Sequence, residues 1–255
     1  GSLILDIFAP ERRHFMKLSI IIPLYNEQEL VTKVLDELQK VNYPAFLEGY
    51  EIIIVDDCSK DGSYERVNEY IELSPNRQFI KLFRHDVNSG KGAAVRTGAS
   101  KSSGDVLLIQ DSDLELSPRD IPSMLIAKKE LEVPFINGSR YMPGVIRPQS
   151  SFKRYFFNKL FTLIASIFID VHITDVACGY KLFDKSLFEK LNLRENRFGF
   201  EAELILKCGR FQRNWIAEVP VRYFPRNLGE GKKLRNIDGL RIFKTLMKYG
   251  LFKMK

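Results

Sequence analysis

Short apolar runs alternate with amphipathic segments along the first half of the chain. Four of these runs have the length and the aliphatic content of buried parallel strands. They occupy residues 18–23, 51–57, 78–84 and 105–110. Apolar residues follow at helical spacing, as Leu30, Val34 and Leu38 do after the first run, and we expect Asn26 to cap that first helix. The repeated alternation of strand and helix predicts a parallel, doubly wound sheet, whose ligands bind where the strands end.

The second half of the chain is less regular. Residues 134–140 predict a further strand and turn, and residues 151–170 predict a helix with an aromatic and basic start. The apolar run in that helix is shorter than the roughly 20 residues of a membrane span, so we expect a core or interfacial helix. Near the C-terminus, Ile242, Leu246 and Tyr249 share one helical face between basic residues. That face fits either an anionic membrane surface or packing on the core with its lysines in solvent.

The composition fits one folded domain of 255 residues, because 45% hydrophobic and 28% charged residues exclude a disordered chain. Three widely separated cysteines, Cys58, Cys178 and Cys208, argue against a zinc or disulfide framework and favour a reducing compartment. The net charge of +7 lies in residues 226–255, where nine basic residues accompany two acidic ones. Such a basic tail favours a phosphate group, an anionic lipid or a nucleic acid as its binding partner. Nucleic acid is the poorer partner, because the sequence contains no nucleic-acid-binding motif.

Three acids follow the fourth predicted strand at alternate positions. Alternate side chains of an extended segment share one face, so Asp111, Asp113 and Glu115 are expected to point the same way. Carboxylate oxygens in this arrangement suit Mg²⁺ or Mn²⁺, the hard cations that a diphosphate needs in order to bind and to leave. The alternative interpretation is a solvated acidic turn without a ligand.

Two further polar groups lie at or near predicted strand ends. Asp56 and Asp57 close the second strand, where a carboxylate accepts a hydrogen bond from a base, a ribose hydroxyl or the N-terminus of the next helix. The glycine-containing loop 88–92, which includes Lys91, allows close backbone approach to a phosphate, although it matches neither the P-loop nor the dinucleotide fingerprint. Each group is interpreted either as part of a site for a base, a ribose or a phosphate, or as a purely structural turn or cap.

Four segments in the order and spacing of one family make the interpretation more specific. Residues 19–27, 54–63, 88–94 and 111–113 resemble family 2 glycosyltransferases, which are inverting enzymes with a GT-A fold. Three later segments resemble the branch of that family that transfers hexoses to polyprenyl phosphates, and these are residues 138–141, 175–183 and 200–204. Within them, residues 178–183 are most similar to the glucosyl-type form. The resemblance covers about residues 17–238.

The resemblance implies an α/β fold of GT-A type, with a mostly parallel, Rossmann-like sheet flanked by helices in a single domain with a C-terminal basic amphipathic helix. It divides the chain into an N-terminal extension (1–16), a catalytic domain (17–235) and the C-terminal helix (236–255). Residues 17–116 would form the donor half and residues 117–235 the acceptor half. Some relatives carry transmembrane helices after this domain, so we expect either a member without membrane spans or a shortened chain.

The resemblance also implies the activity, a metal-dependent, inverting transfer of a hexose from a nucleotide sugar such as UDP-glucose or GDP-mannose to a polyprenyl phosphate. Mg²⁺ or Mn²⁺ would be the cofactor, with Asp111, Asp113 and Glu115 as its ligands. The expected location is peripheral, on the cytoplasmic face of the membrane, and nucleic acid is not an expected partner. A homo-oligomer or a membrane-anchoring subunit is left open.

The motif positions transfer the family's binding roles to this sequence. The nucleotide sugar would contact Pro23, Asn26, Glu27, Asp56, Asp57, Lys91, Asp111, Arg226, Lys232 and Lys233. The acceptor phosphate would contact Arg140, Arg154 and Asn158. The catalytic residues implied are Asp113, Arg140 and Arg154.

The acceptor decides whether the enzyme needs a general base. A phosphate monoester is already an anion near neutral pH, so it attacks the anomeric carbon without prior deprotonation, and cationic groups hold it in place. A family 2 enzyme with a sugar or other hydroxyl acceptor would need a carboxylate base, for which Glu201 and Glu203 are the candidates. The second alternative is a non-catalytic nucleotide-sugar-binding or scaffold protein, against which the intact pair of Asp111 and Asp113 argues.

Overall fold

The computed structural model describes residues 16–143, 147–148, 151–226 and 236–251. The strands are β1 (Met16–Leu24), β2 (Leu47–Asp56), β3 (Ile80–Arg84), β4 (Val106–Ile109), β5 (Phe135–Ser139), β6 (Lys181–Asp184) and β7 (Ile216–Pro220). The helices are α1 (Val31–Gln39), α2 (Ser63–Leu73), α3 (Lys91–Lys101), α4 (Ile121–Leu131), α5 (Phe152–Ile169), α6 (Lys185–Leu191), α7 (Phe200–Phe211) and α8 (Asn236–Leu251).

All the strands belong to one sheet, in which β1 lies at the centre of the parallel part. The strand order is β3-β2-β1-β4-β6-β5-β7. β1 pairs in parallel with both β2 and β4, and β3 extends the sheet beyond β2. β6 runs antiparallel to both of its neighbours, whereas β5 and β7 pair in parallel. The sheet is therefore mostly parallel, as predicted, and it includes strands from both halves of the chain.

Alternate residues of β1 belong to two cores on opposite faces of the sheet. Ile20 and Ile22 pack with α1, α2 and α4, whereas Ile21 packs with helices of the other layer, α3 and α5 to α8. All three side chains are fully buried, which explains why this strand is a continuous apolar run and does not alternate with polar residues. On the second face α3 approaches so closely that a Cβ at Gly98 would lie 2.5 Å from Cγ2 of Ile21.

The strands and helices predicted for the first half of the chain are confirmed, with some shifts at their ends. The predicted cap of the first helix is wrong, because α1 begins at Val31 and Asn26 lies in the left-handed region, with φ at +49°. The side-chain Oδ1 of Asn26 instead accepts a hydrogen bond of 2.7 Å from the backbone N–H of Lys60. Asn26 therefore ties the end of β1 to the loop after β2.

α8 packs on the core through the face that the sequence pattern marked. Ile242, Leu246 and Tyr249 are at most 8% exposed and join the core formed with α5 and α7. Lys244 and Lys248 lie on the exposed side of the helix. Of the two predicted alternatives, packing on the core is the correct one for this face. In the described ranges, no helix has the length and apolar character needed to cross a membrane.

Replacing Leu246 with alanine should destabilise the whole domain, because this side chain is fully buried under α5 and α7. We expect a loss of about 2–5 kcal/mol in the free energy of unfolding, measured by urea denaturation. Leu240→Ala on the same helix is the matched control, since Leu240 is 64% exposed, and it should change stability by less than about 0.5 kcal/mol. Equal effects of the two substitutions would contradict the docking of α8.

Candidate active site

Acidic side chains from three neighbouring strands meet at one edge of the sheet. Because β2, β1 and β4 are adjacent and parallel, their carboxyl ends lie side by side. Asp56 ends β2, Glu27 follows β1, and Asp111 and Asp113 follow β4. The predicted positions therefore come together where parallel sheets bind their ligands.

Arg226, which follows β7, reaches this acidic edge and binds two of its carboxylates. Its guanidinium donates to both carboxylate oxygens of Glu27 and to Oδ2 of Asp113, each at 3.0 Å. Glu27 is buried, so the pair is shielded from water. A bidentate contact between arginine and a carboxylate also fixes orientation, so the segment after β7 is tied to the donor half of the chain.

Glu115 anchors the same segment. Its carboxylate accepts hydrogen bonds from the backbone N–H of Arg226 at 2.9 Å and from the Tyr223 hydroxyl at 3.2 Å. Across the described residues, no three His, Cys, Asp or Glu side chains are arranged as a metal site. The predicted ligand set of Asp111, Asp113 and Glu115 is therefore not assembled in this structure. The Glu115 carboxylate instead holds the segment after β7 in place.

Negative charge is concentrated around Asp113. Burial, and then the neighbouring carboxylates of Asp111 and Glu115, raise the pKa of Asp113 to about 6, and Arg226 only partly opposes that shift. Oxygen donors with an excess of negative charge are the ligands that Mg²⁺ and Mn²⁺ prefer. The pair Asp111 and Asp113 therefore fits a divalent cation once Arg226 releases Asp113.

Lys91 binds the acidic edge from the layer of α3. Its ammonium lies 2.6 Å from Oδ1 of Asp111 and 2.7 Å from Oε1 of Glu201. Burial alone would lower the pKa of Lys91, but the two carboxylates outweigh it and raise that pKa. Lys91 therefore stays charged and connects the start of α3 with both the segment after β4 and α7.

The two carboxylates considered as bases are both engaged. Glu201 is bound by Lys91, as described above. Glu203 is fully buried, pairs with Lys207 at 2.8 Å, and accepts hydrogen bonds from the backbone N–H groups of residues 194 and 195. Glu203 therefore stabilises the loop before α7, and of the two only Glu201 borders the acidic edge.

The two aspartates at the end of β2 hold loops in place. Asp56 is fully buried and pairs with Arg84 at 3.2 Å. The Asp57 carboxylate accepts hydrogen bonds from the backbone N–H groups of Ser89 at 2.8 Å and Gly90 at 2.7 Å. Asp57 thus fixes the loop that leads into α3, whereas capping of the next helix in sequence was the predicted structural alternative.

The remaining predicted donor residues are less closely tied to the acidic edge. Pro23 is half-buried near the end of β1 and pairs in register with Val55 of β2. Asn26 is half-buried, with its carboxamide oxygen turned to the loop after β2. Lys232 and Lys233 lie outside the described residues.

Arg140, just after β5, is held by a carboxylate that the sequence reasoning did not single out. Asp175 is fully buried and accepts hydrogen bonds from Nε of Arg140 at 2.7 Å and from Nη2 at 2.9 Å. The amide of Asn158 donates to the same carboxylate at 3.1 Å. Burial would raise the pKa of Asp175, but Arg140 outweighs it and lowers that pKa. The available sequence signal was the position of Asp175 at the head of segment 175–183.

Tyr223 connects the acidic edge with Arg140. Its hydroxyl donates to Glu115 at 3.2 Å, and its ring centre lies 5.0 Å from the guanidinium carbon of Arg140. No sequence motif marks Tyr223, although it joins the regions predicted for donor and acceptor. Arg154, the third predicted acceptor residue, is half-buried in the first turn of α5 and forms no hydrogen bond or ion pair with the part of the chain that the structure describes.

Comparison with known proteins identifies the family. The family model described as glycosyl transferase family 2 matches residues 19–192, which include the acidic edge after β4 and the pair of Arg140 and Asp175. The chain belongs to this family. It is 31% identical to a dolichol-phosphate mannosyltransferase of Pyrococcus furiosus over 91% of this chain and 62% of that relative. A dolichyl-phosphate beta-glucosyltransferase of Trichomonas vaginalis is also 31% identical, over 89% of this chain and 68% of its own length.

The chain spans less than two thirds of the length of its Pyrococcus furiosus relative. Among solved structures, glucosyl-3-phosphoglycerate synthase from Mycobacterium tuberculosis aligns with a TM-score of 0.69 and 17% identity, over 94% of this chain and 80% of that chain. That structure contains Mn²⁺, UDP and phosphoglyceric acid, and another structure of the same protein contains Mg²⁺ and UDP. At this identity the likeness concerns the fold alone, and it confirms the GT-A fold.

Removing Arg226 should let the acidic edge bind a divalent cation more tightly when no nucleotide is present. Arg226→Ala takes a positive charge away from Asp113, so we expect the affinity for Mn²⁺ to rise about tenfold, which corresponds to roughly 1.4 kcal/mol. The electron paramagnetic resonance signal of free Mn²⁺ measures this affinity without any enzymatic reaction.

Arg222→Ala is the matched control for this experiment, because the guanidinium of Arg222 pairs with Asp120, at 2.7 Å, and it is Arg226 that pairs with Asp113. It should leave Mn²⁺ binding unchanged. Asp113→Asn in the Arg226→Ala background should remove the gain. An Arg226→Ala variant with the affinity of the unmodified chain would show that arginine and cation do not compete.

Proposed function

We propose that this chain transfers a hexose from a nucleotide sugar to a polyprenyl phosphate, with inversion and with Mg²⁺ or Mn²⁺ as cofactor. The observation that carries the proposal is that an acidic edge and an arginine site are joined through Tyr223. A reaction between two anionic substrates needs two sites of opposite charge. The acidic site binds the diphosphate through a cation, and the arginine site binds the acceptor phosphate directly. The names of both relatives, a dolichol-phosphate mannosyltransferase and a dolichyl-phosphate beta-glucosyltransferase, support the same acceptor class.

On the donor side, Asp111 and Asp113 would hold the metal, which when bound would neutralise charge on the departing diphosphate. Lys91 and Arg226 already lie at these carboxylates, and each can turn a cationic group towards a phosphate. We further propose Lys232 and Lys233 as donor contacts, together with Pro23, Asn26, Asp56 and Asp57. Glu27 would direct Arg226 through its bidentate pair.

On the acceptor side, Arg140, Arg154 and Asn158 would bind the phosphate, with Arg140 oriented by Asp175. A phosphate monoester loses its second proton near pH 6, so it is a nucleophile at neutral pH without a base. Single displacement at the anomeric carbon would then give the inverted, β-linked product. The engagement of Glu201 by Lys91 and of Glu203 by Lys207 favours this acceptor over a hydroxyl, which needs a free carboxylate base.

Exposed apolar residues on the outer surface of the helical layer support attachment to a membrane. Leu163 and Ile167 of α5 are 58% and 67% exposed, and Leu240 and Leu251 of α8 are 64% and 57% exposed. Exposed apolar side chains on neighbouring helices, next to lysines in solvent, suit the surface of an anionic bilayer. We propose peripheral attachment to the cytoplasmic face of the membrane through these residues, which are not the buried residues that the sequence pattern marked.

The decisive experiment offers UDP-glucose or GDP-mannose to the purified chain with a polyprenyl phosphate, or with the matching polyprenol, in the presence and absence of Mn²⁺. We expect a polyprenyl-phosphate sugar from one of the two donors, only with the phosphate acceptor and only with metal. Asp113→Asn should lower the rate by at least about 100-fold. Asp105→Asn is the matched control, because Asp105 lies at the opposite end of β4 and binds the backbone of Lys17.

Other outcomes would select the alternatives. Transfer to polyprenol or to a sugar hydroxyl, lost in Glu201→Gln, would favour the hydroxyl-acceptor reaction. Metal-dependent binding of the nucleotide sugar, measured as a rise in melting temperature, without transfer to any acceptor would favour a binding or scaffold protein.

A further inference from the structure

Three cations converge on the ring of Tyr141, and the guanidinium carbon of Arg140 is the farthest of them, 5.5 Å from the ring centre. The guanidinium carbon of Arg147 lies 4.4 Å from the centre of this ring, and the ammonium of Lys159 lies 4.7 Å from it. These are cation–π distances, at which the ring face attracts positive charge. We call the group formed by Tyr141, Arg147 and Lys159 the Tyr141 clamp.

The charges of the Tyr141 clamp are not neutralised within the protein. Arg140, the neighbouring cation, is paired with the buried carboxylate of Asp175. Arg147 and Lys159 form no ion pair with any residue that the structure describes, and Lys159 donates only to the carbonyl oxygen of Thr174 at 3.3 Å. Two like charges held at one ring repel each other, so an anion between them is favoured. A phosphate monoester, which carries a charge of about −1.5 to −2 at neutral pH, matches the pair.

A row of exposed aromatic rings begins at the Tyr141 clamp. We call it the α5 aromatic row, and it consists of Phe152, Tyr155, Phe156 and Phe157. Tyr155 lies 5.5 Å from Tyr141, Phe152 lies 6.4 Å from Tyr155, and the remaining rings follow at 6.5 and 5.7 Å between centres. Phe152 is 76% exposed and Phe156 is 52% exposed. Covering these exposed rings with an apolar partner is favourable by about 25 cal/mol for each Å² of apolar surface removed from water.

We infer that the Tyr141 clamp and the α5 aromatic row together bind a phosphate monoester with a long apolar tail, the phosphate between Arg147 and Lys159 and the tail along the row. This inference rests on the proposed function and adds two residues, Arg147 and Lys159, to its acceptor site. The order of charge and apolar surface carries the argument, because the row starts at the uncompensated cations. A free phosphate would leave the row uncovered, and an uncharged lipid would leave the cations without a partner.

Binding of three probes to the purified chain, measured by titration calorimetry, tests the inference. The probes are farnesyl phosphate, inorganic phosphate and farnesol, which separate the phosphate from the tail. We expect the intact chain to bind farnesyl phosphate at least about ten times more tightly than either of the other two. The double variant Arg147→Gln/Lys159→Gln should lose at least about tenfold in affinity for farnesyl phosphate. Phe152→Ser/Phe156→Ser should lose a similar factor for farnesyl phosphate and none for inorganic phosphate.

Lys129→Gln is the matched control, because the Lys129 ammonium lies 4.6 Å from the ring centre of Phe46, in the same geometry as Lys159 but on α4. It should bind all three probes like the intact chain. The melting temperature of each variant with UDP-glucose or GDP-mannose checks that the fold and the donor site are unchanged.

Failure of the inference and failure of the proposed function give different results. If the intact chain transfers hexose to polyprenyl phosphate, but the Arg147→Gln/Lys159→Gln variant keeps its affinity for farnesyl phosphate, the clamp is not the acceptor site. If that variant loses only its binding to phosphatidylglycerol vesicles, the cations attract the membrane surface and the inference is overturned. If the intact chain transfers hexose to no polyprenyl phosphate at all, the proposed function is wrong, whatever the clamp binds.

Discussion

Carboxylates accumulate at one edge of the sheet because β2, β1 and β4 run parallel and end beside one another, and cations from distant segments neutralise them. Like charges in a partly buried edge repel strongly, since the surroundings screen them less than water does. Lys91 of α3 binds Asp111, and Arg226, from beyond β7, binds Glu27 and Asp113. These contacts join α3 and the segment after β7 to the centre of the sheet, so the acidic edge also organises the fold around it.

The other side of the site has the opposite electrostatic character. Arg140 forms an internal pair with buried Asp175, while Arg147 and Lys159 remain without an acidic partner among the residues described. A charged group whose counter-ion is supplied by the protein is held in a fixed orientation, whereas one without a counter-ion attracts a ligand. Tyr223 contacts both sides, through its hydroxyl to Glu115 and its ring to Arg140. If the chain transfers a sugar to a phosphate, the acidic edge would bind the donor diphosphate through a metal ion. The cationic side chains would bind the acceptor phosphate directly.

Helices α5 and α8 show why a pattern of apolar residues does not by itself identify a surface. The apolar face of α8 is buried against α5 and α7, and the exposed apolar residues belong to the outer side of the same layer. α5 is apolar on both sides, with Phe161 and Ala165 in the core and Phe152 and Ile167 in solvent. Helical spacing predicts that residues share a face, but only the neighbouring helices decide which face remains exposed.

The amino-acid sequence by itself determined the strands of the parallel half, the family, and the acidic positions after β4, because these depend on local apolar runs and on motifs of contiguous residues. It indicated neither the antiparallel strand β6 nor the roles of Asp175 and Tyr223. The tertiary structure alone decided which cation neutralises which carboxylate, since Glu27 and Arg226 lie 199 residues apart in the chain. It also assigned Glu115, Asp57 and Glu203 to folding contacts, because an acid's role depends on the donors that packing brings to it, and no local spacing records those.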